Sequence, residues 1–423
     1  MHEFCNIVSA CNLIEAPFIG NEMTWCNNRV GRERILAKLD RAFYNDARVS
    51  ALPSWRYKVL PRLCSDHSPI FGQVTNIPKA INRPFKFFNV WSDHHTFLKT
   101  VSDSWHCPLS AAPILKVIKK LQRLKVVLKD WNTTTFGSVD AAVTTSYVDL
   151  AELQILADED IENGDFNLSI IDKEVQVCKA LSDRASLIRQ KSRIRMEDEG
   201  DRNSSYFHSM LKIRQQSSLI TELVDDNDVL LTSQAEIKDH LINYYTEKFS
   251  YEEAVQDVDL VNLVPTSLGD EDNLILTVIP TYAEIQATVM SMDPDSAPGP
   301  DGLQGFFYHK CWNIIKADVC DVVQSFFVQS TLHAGLNSNF ITLIPKVKRP
   351  MRASDYRPIC LSNFLLKIVS KLMHNRLKDL IARIVSEEQV GFISGRSVQS
   401  NIGLASELVN ELWCQTAWRQ RCY

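Results

Sequence analysis

The sequence lacks the cysteine patterns that mark a disulfide framework or a cysteine-rich zinc site. Its 11 cysteines are odd in number, lie scattered along the chain and include no Cys-x-x-Cys pair. Disulfide-stabilised secreted domains and zinc modules show the opposite pattern. We therefore expect an intracellular protein, in the nucleus or cytoplasm, with no disulfide-linked partner.

Membrane and secretion signals are also missing. The first residues, Met-His-Glu-Phe-Cys-Asn, have neither the charged start nor the apolar run of a signal peptide. An uncharged stretch runs from Val322 to Pro345, but Gln324, His333 and Asn337 interrupt it, so it does not read as a membrane span. With 423 residues, 14 Gly, 16 Pro and 45% apolar residues, the composition is that of a globular chain of two to four domains.

Positive charge is absent from one long part of the chain. No Lys or Arg occurs between Phe249 and His309, a stretch that holds 11 acidic residues, whereas 13 Lys/Arg face 6 Asp/Glu from Lys310 to Arg396. The net charge of −5 therefore does not exclude a local nucleic-acid surface. Chance clustering of solvated surface charges explains the same counts.

Hydrophobic periodicity predicts a helix-rich α+β protein. A basic amphipathic helix is expected over 114–129, and a helical hairpin over 147–196 with a break near Asn163-Gly164. A third long helix is expected over 364–384, with Ser362 or Asn363 as its N-cap. Short β-rich runs precede these helices in residues 1–78.

Three short motifs in the first 70 residues suggest phosphate chemistry. They are Thr24-Trp25-Cys26-Asn27, Leu39-Asp40-Arg41 and Ser65-Asp66-His67-Ser68-Pro69. An imidazole beside a carboxylate can act as a general base or bind phosphate. Taken alone, the Asp-His dipeptide is more often an ordinary surface feature.

In this order and spacing, the three motifs resemble the C-terminal third of the endonuclease/exonuclease/phosphatase family, as found in plant retrotransposons that lack long terminal repeats. The resemblance implies that His67 lies against the scissile phosphate, that Asp40 orients it, and that Asp66 lies near a catalytic Mg²⁺. The family's metal-binding Glu, its Asn and its Asp-x-Asn motif precede the matched region. We therefore expect a partial β-sandwich with exposed apolar strand faces, no complete metal site and no nuclease activity.

Five further motifs follow along the chain. Each alone reads as a turn or a strand end, because Pro fixes φ and Gly allows positive φ. In order, they are Gly200-Asp201-Arg202-Asn203-Ser204-Ser205-Tyr206-Phe207-His208, Ser296-Ala297-Pro298-Gly299-Pro300-Asp301-Gly302, Leu343-Ile344-Pro345-Lys346, Ser354-Asp355-Tyr356-Arg357-Pro358-Ile359 and Gln389-Val390-Gly391-Phe392-Ile393-Ser394-Gly395-Arg396.

Together they resemble the fingers and early palm of reverse transcriptases of non-long-terminal-repeat (LINE-type) retrotransposons, over about residues 190–410. The resemblance implies nucleotide binding by Lys346 and Arg357, and places Gln389, Gly391 and Phe392 near the template and the nucleotide. Lys and Arg on adjacent antiparallel strands can converge on one triphosphate. Mg²⁺ is the cofactor, and deoxynucleotide, RNA and DNA are the partners, that the resemblance implies.

The expected organisation has three parts: an endonuclease remnant over 1–78, a helical linker over 79–250, and the start of a reverse transcriptase domain over 251–423. The first hypothesis is a reverse-transcriptase fragment that begins and ends inside its family's domains, as a degenerate element or a gene model opened at an internal Met. The second is a non-catalytic remnant that binds RNA or DNA weakly and without sequence preference. The third is an active Mg²⁺-dependent endonuclease, which needs carboxylates that this sequence does not contain.

The sequence predicts that this polypeptide does not extend a primer on an RNA template. Phosphoryl transfer of this kind needs palm carboxylates that hold two metal ions. The last Asp is Asp379, and losing one electrostatic element alone typically costs on the order of 10²–10³ in rate. Primer extension with Mg²⁺ or Mn²⁺ is expected to match a heat-inactivated control. Extension above that control, abolished by Arg357→Ala, would overturn the expectation.

Overall fold

The computed structural model describes residues 2–11, 13–52, 55–62, 65–74, 84–159, 165–192, 218–251, 267–333, 335–386, 388–391, 393 and 395–421. They form a helix-rich α+β structure with small sheets, as predicted. The Gly200–His208 motif and Phe392 lie outside the described residues. In the described part no single helix is long and apolar enough to span a membrane. The helices Asp270–Thr277 and Tyr282–Ser291 reach that length and apolar character only when they are taken together, and they are bent by 75° relative to each other.

The N-terminal segment is built from short strands. Strand β6 lies at the centre of a three-stranded sheet, parallel to β2 and antiparallel to β7, while β1 pairs with β5 and β3 with β4. The elements are α1 (His2–Ala10), β1 (Ile14–Glu15), β2 (Phe18–Gly20), β3 (Trp25–Cys26), β4 (Leu36–Ala37), β5 (Phe43–Tyr44), α2 (Asp46–Ala51), β6 (Trp55–Val59) and β7 (Ile70–Val74).

Part of this small sheet system is packed into a local core, whereas its edge strand is exposed to solvent. Tyr44, Tyr57 and Val59 are buried in a local core with Ile14 and Ala16. On the edge strand β7, Ile70, Phe71 and Val74 are 42%, 58% and 58% exposed. Exposed apolar side chains on an edge strand agree with the expected partial sandwich.

The middle of the chain is helical. Its elements are α3 (Phe97–His106), α4 (Pro113–Trp131), α5 (Val139–Glu159) and α6 (Asp165–Ser192). Helices α5 and α6 pack as the predicted hairpin, joined across it by an ion pair from Lys173 to Asp149 at 2.8 Å. A one-turn π-helix, Asn132–Phe136, ends α4, where the Trp91 indole donates to Asn132 at 2.8 Å.

The remaining elements alternate helices with two hairpins. They are β8 (Leu223–Val224), β9 (Leu230–Leu231), α7 (Gln234–Lys248), α8 (Asp270–Thr277), α9 (Tyr282–Ser291), α10 (Gly305–Lys310), α11 (Trp312–Gln329), β10 (Asn339–Pro345), β11 (Tyr356–Ser362), α12 (Phe364–Lys378), α13 (Ile381–Ile384) and α14 (Val398–Arg421). The predicted helix over 364–384 thus ends six residues early and resumes as one short turn.

The largest core is shared between the predicted linker and the predicted reverse transcriptase segment. It joins side chains of 87–131 to side chains of 285–372. Leu124 and Leu128 of α4 are fully buried, as are Ile315 and Val319 of α11. Burying several such side chains is a main source of stability. The two segments share one hydrophobic core, on both sides of the domain boundary expected at 250/251.

Two cysteines lie inside this core. Cys311 and Cys320 are buried and unbonded. Burial raises the pKa of the Cys311 thiol to about 12 and that of Cys320 to about 11, because a thiolate is poorly solvated there.

The basic residues of α4 are largely used inside the protein. Asp318 of α11 accepts from Lys116 at 2.7 Å and from Lys120 at 2.6 Å, and the Trp105 indole donates to the same carboxylate at 2.8 Å. Arg123 donates to the carbonyls of Ser104 and Cys107, at the end of α3. The positive pattern of this helix therefore reflects packing against α3 and α11.

The charge asymmetry along the sequence is also partly internal. Arg376 of α12 forms a two-pronged ion pair with Glu284 of α9, at 2.8 and 2.9 Å. Arg383 pairs with Asp272 at the start of α8. The acidic stretch and the basic block therefore pair with each other across the fold.

The turn from Ser296 to Gly302 docks onto the start of α12. Asn363 occupies the predicted N-cap position, but its side chain makes no capping bond; its Oδ1 instead accepts from the Asp301 amide at 3.0 Å. A side chain at Gly299 would collide with the Asn363 backbone. Gly302 has φ +73° and lies against the Phe85 carbonyl, so glycine is required at both positions.

Asp301 predicts an unusual pH dependence of stability. Burial raises the pKa of its carboxyl to about 6, against the attraction of Lys125 and Lys367. The folded state then binds more protons than the unfolded state between about pH 4 and 6. The contribution of Asp301 to the free energy of unfolding therefore falls as pH rises through that window. We expect Asp301→Asn to stabilise the protein at pH 7.5 by on the order of 1–3 kcal/mol and to have little effect at pH 4.

Urea unfolding at the two pH values measures this difference. Asp293→Asn, at an aspartate earlier in the same region, serves as the control. A destabilising Asp301→Asn effect at pH 7.5 would contradict the prediction.

Candidate functional site

The structure brings Asp40 and His67 into contact. The Nδ1 atom of His67 lies 2.9 Å from Oδ2 of Asp40, in the geometry of an imidazole donating to a carboxylate. Its Nε2 has no hydrogen-bond partner among the described residues, and the side chain is 44% exposed. A carboxylate on Nδ1 fixes the tautomer that leaves Nε2 free to accept a proton.

Thr24 positions both members of this pair. Its hydroxyl oxygen accepts from the backbone amides of Leu39 and Asp40, at 3.0 and 2.9 Å. Its carbonyl accepts from the Ser68 amide, the residue after His67, and Thr24 is fully buried. From the sequence, Thr24 was named only as part of a motif, because the amides that it accepts from are 15 and 16 residues away and no local signal joins them.

Asp66 belongs to the same surface but has a different partner. Its Oδ2 accepts from the Trp25 indole at 2.8 Å, and the strand bridge between Trp25 and His67 holds the two segments together. The Trp25 hydrogen bond lowers the pKa of the Asp66 carboxyl. A concave surface beside it is lined by Asn27 and Ser65 of the motifs, and by Asn28, Arg29 and Ile35, which were not singled out from the sequence.

These carboxylates do not make a complete metal site. Within the described ranges, no three His, Cys, Asp or Glu side chains are grouped so that they could hold a metal ion. Mg²⁺ prefers six oxygen ligands in near-octahedral geometry, and Asp66 offers one carboxylate. No chemical step through a metal follows from this arrangement.

The second group of candidate residues lies on the β10–β11 hairpin. Ile344 pairs with Arg357 and Pro345 with Tyr356, and the Lys346 amide continues the ladder to the Asp355 carbonyl at 2.7 Å. Cross-strand partners share a face and side chains repeat every second residue. Lys346 and Arg357 therefore lie on the same face, as expected for a shared phosphate ligand.

That face is open to solvent. The opposite face carries Tyr356 into a small core with Leu223 and Ile237, which Leu343 also contacts. Arg357 is exposed and has no hydrogen-bond or ion-pair partner among the described residues. Lys346 donates to the Ser354 carbonyl at 2.7 Å, and its charge also acts on the Asp355 carboxylate across the hairpin.

Gln389 and Gly391 lie on the loop after α13. Arg396 organises this loop by donating to the carbonyls of Val385 at 3.1 Å and Gln389 at 2.7 Å. The hydrogen bonds of Gln389 stay within this loop. The structure thus brings Asp40 into contact with His67 and places Lys346 and Arg357 on one face. No contact among the described residues connects Gln389 or Gly391 to the hairpin, and their placement near a nucleotide stays a prediction.

Comparison with known proteins adds a transposon relative. No family model matches the chain. The transposon TX1 uncharacterized 149 kDa protein of Xenopus laevis is 22% identical over 393 residues, covering 88% of this chain and 29% of that protein. This similarity supports a transposon origin. The chain spans 29% of the length of the relative it matches.

The His67–Asp40 pair predicts a shifted histidine titration. The hydrogen bond to Asp40 raises the pKa of His67, and the same bond helps to lower the pKa of Asp40. We expect Asp40→Asn to return the His67 pKa toward its ordinary value, because the neutral amide no longer favours the imidazolium. NMR titration of the His67 ring protons measures the change.

Asp66→Asn is the matched control, since Asp66 acts on His67 only through its charge. It is expected to lower the His67 pKa by less than Asp40→Asn does. An equal or larger effect of Asp66→Asn would show that the Asp40 contact is not the main cause.

Proposed function

We propose that this chain is part of a reverse-transcribing protein of a non-long-terminal-repeat retrotransposon. In this proposal residues 1–78 are the last part of an endonuclease, and residues from about 251 are the fingers and early palm of the polymerase. The transposon relative supports the origin. The motif order supports the assignment of the two parts.

The observation that carries the polymerase assignment is the register of the β10–β11 hairpin. It places one Lys and one Arg on a single exposed face as diagonal neighbours, with Ile344 opposite Arg357 and Asp355 opposite Lys346. A triphosphate carries several negative charges and is bound by cations that approach it from one side. Arg357 supplies a planar fork and Lys346 a mobile point charge.

In the proposal the first part of the chain contributes a histidine that acts on a phosphate. His67 presents its free Nε2 to solvent while Asp40 holds the other nitrogen. Asp66 stands beside it as an anionic group. An active Mg²⁺-dependent endonuclease is the alternative that the proposal does not adopt.

The other alternative is a chain that binds nucleic acid without catalysis. Five cations of the basic block, Lys310, Lys316, Arg357, Lys371 and Lys378, have no partner among the described residues. Phosphate contacts from such side chains give weak, sequence-independent binding that falls with salt. This binding is compatible with the polymerase assignment, and nucleotide binding separates the two.

Arg357→Ala is the test of the proposal. We expect the wild-type chain to bind a deoxynucleoside triphosphate, and Arg357→Ala to weaken binding by roughly tenfold or more, as for loss of a charged hydrogen-bond pair. Lys346→Ala is expected to cost less. Isothermal titration calorimetry gives the dissociation constants.

Lys378→Ala is the control, because it removes an exposed, unpartnered charge from α12. If Lys378→Ala weakens nucleotide binding as much as Arg357→Ala, the hairpin face is not the binding site. Failure of the wild-type chain to bind any of the four nucleotides would refute the assignment.

A further inference from the structure

The tip of the β10–β11 hairpin carries a concentrated positive charge. Between the two strands, Lys348, Arg349 and Arg352 fall within five residues. All three are exposed at the surface, and the Lys348 side chain is 84% exposed. We call residues 346–355 the basic tip.

Each of these cations is held by an acceptor from a distant part of the chain. Lys348 pairs with Glu22 at 3.1 Å, and Arg349 donates to the Asn21 side chain. Arg352 pairs with Asp228 and donates to the Asp225 carbonyl at 3.3 Å. The acceptors come from the segment after β2 and from the β8–β9 turn.

These acceptors offer the basic tip negatively charged and neutral oxygen atoms, as the phosphates of a nucleic-acid backbone would. Two carboxylates and two neutral oxygens meet three cations on an exposed loop. Ion pairs this exposed are weak and screened by salt. A polyanion with several phosphates can therefore replace them, because it brings more charge and releases counterions.

We propose that the basic tip is a binding surface for single-stranded nucleic acid that the chain masks with its own Glu22 and Asp228. The masking lowers the affinity of the resting protein, and a bound strand displaces the two carboxylates. The inference rests on the proposed nucleic-acid function and adds a surface and a regulation that the function does not require.

Neutralising the two masking carboxylates tests this inference. The double variant Glu22→Gln/Asp228→Asn keeps the shape of both side chains and frees Lys348 and Arg352. Its affinity for a fluorescent single-stranded oligouridine, measured by anisotropy at 50–200 mM salt, is expected to exceed that of the wild type. The gain measures the two ion pairs that a bound strand must break in the wild type.

The salt dependence of the affinity gain gives a second readout. The gain over the wild type is expected to be smaller at 200 mM than at 50 mM salt, because salt screens the two ion pairs that the wild type must break. Adding Lys348→Ala and Arg352→Ala to the double variant is expected to remove the gain. Thermal melting checks that all variants fold.

Glu33→Gln is the matched control. Glu33 lies in the same N-terminal segment and also in an exposed ion pair, with Arg29; its loss changes the net charge without freeing the basic tip. A gain or a slope change in Glu33→Gln equal to that of Glu22→Gln would overturn the masking proposal.

The outcomes also separate this inference from the proposed function. Wild-type binding that falls with salt, combined with unchanged variants, would leave nucleic-acid binding in place and refute the masking. Binding by the double variant with little by the wild type would support it in its strongest form. No binding by either protein would refute both.

Discussion

The docking of the 296–302 turn onto Asn363 determines how the β10–β11 hairpin leaves the helical core. Asn363 directly follows β11 and directly precedes α12, so a contact at this residue sets the direction of both. Gly299 and Gly302 allow the approach, and Lys367 adds a bond to the Ala297 carbonyl at 2.7 Å. The contact between the turn and Asn363 therefore sets the orientation of the hairpin face that carries Arg357.

Much of the hairpin could be predicted from the sequence, because its signals are local. Short apolar runs over 340–344 and after Arg357 predict strands, but the register that places Lys346 and Arg357 on one face comes from the structure. The Asp40–His67 contact depended on the resemblance, since 27 residues separate the two. Neither periodicity nor charge brings such residues together.

The sequence was a poorer guide to what charged residues do. A basic amphipathic helix was expected over 114–129 without partners for its cations, but Lys116 and Lys120 pair with Asp318, which is 198 residues beyond Lys120. Asn363 was correctly placed at a helix start, but its side chain bonds to another turn. Each of these partners is distant in sequence, and the choice among partners depends on tertiary packing, which residue spacing does not record.

The burial of Cys311 and Cys320 has a consequence for the chemical durability of the protein. Both thiols are shielded by the shared core and disfavoured as thiolates, so alkylating agents and oxidants react slowly with them while the core stays closed. Cys11, Cys107, Cys178 and Cys360 are exposed and react first. Oxidation therefore begins at the surface cysteines, and it reaches Cys311 and Cys320 only when the packing of α4 against α11 opens. Chemical modification of these two thiols would report that opening.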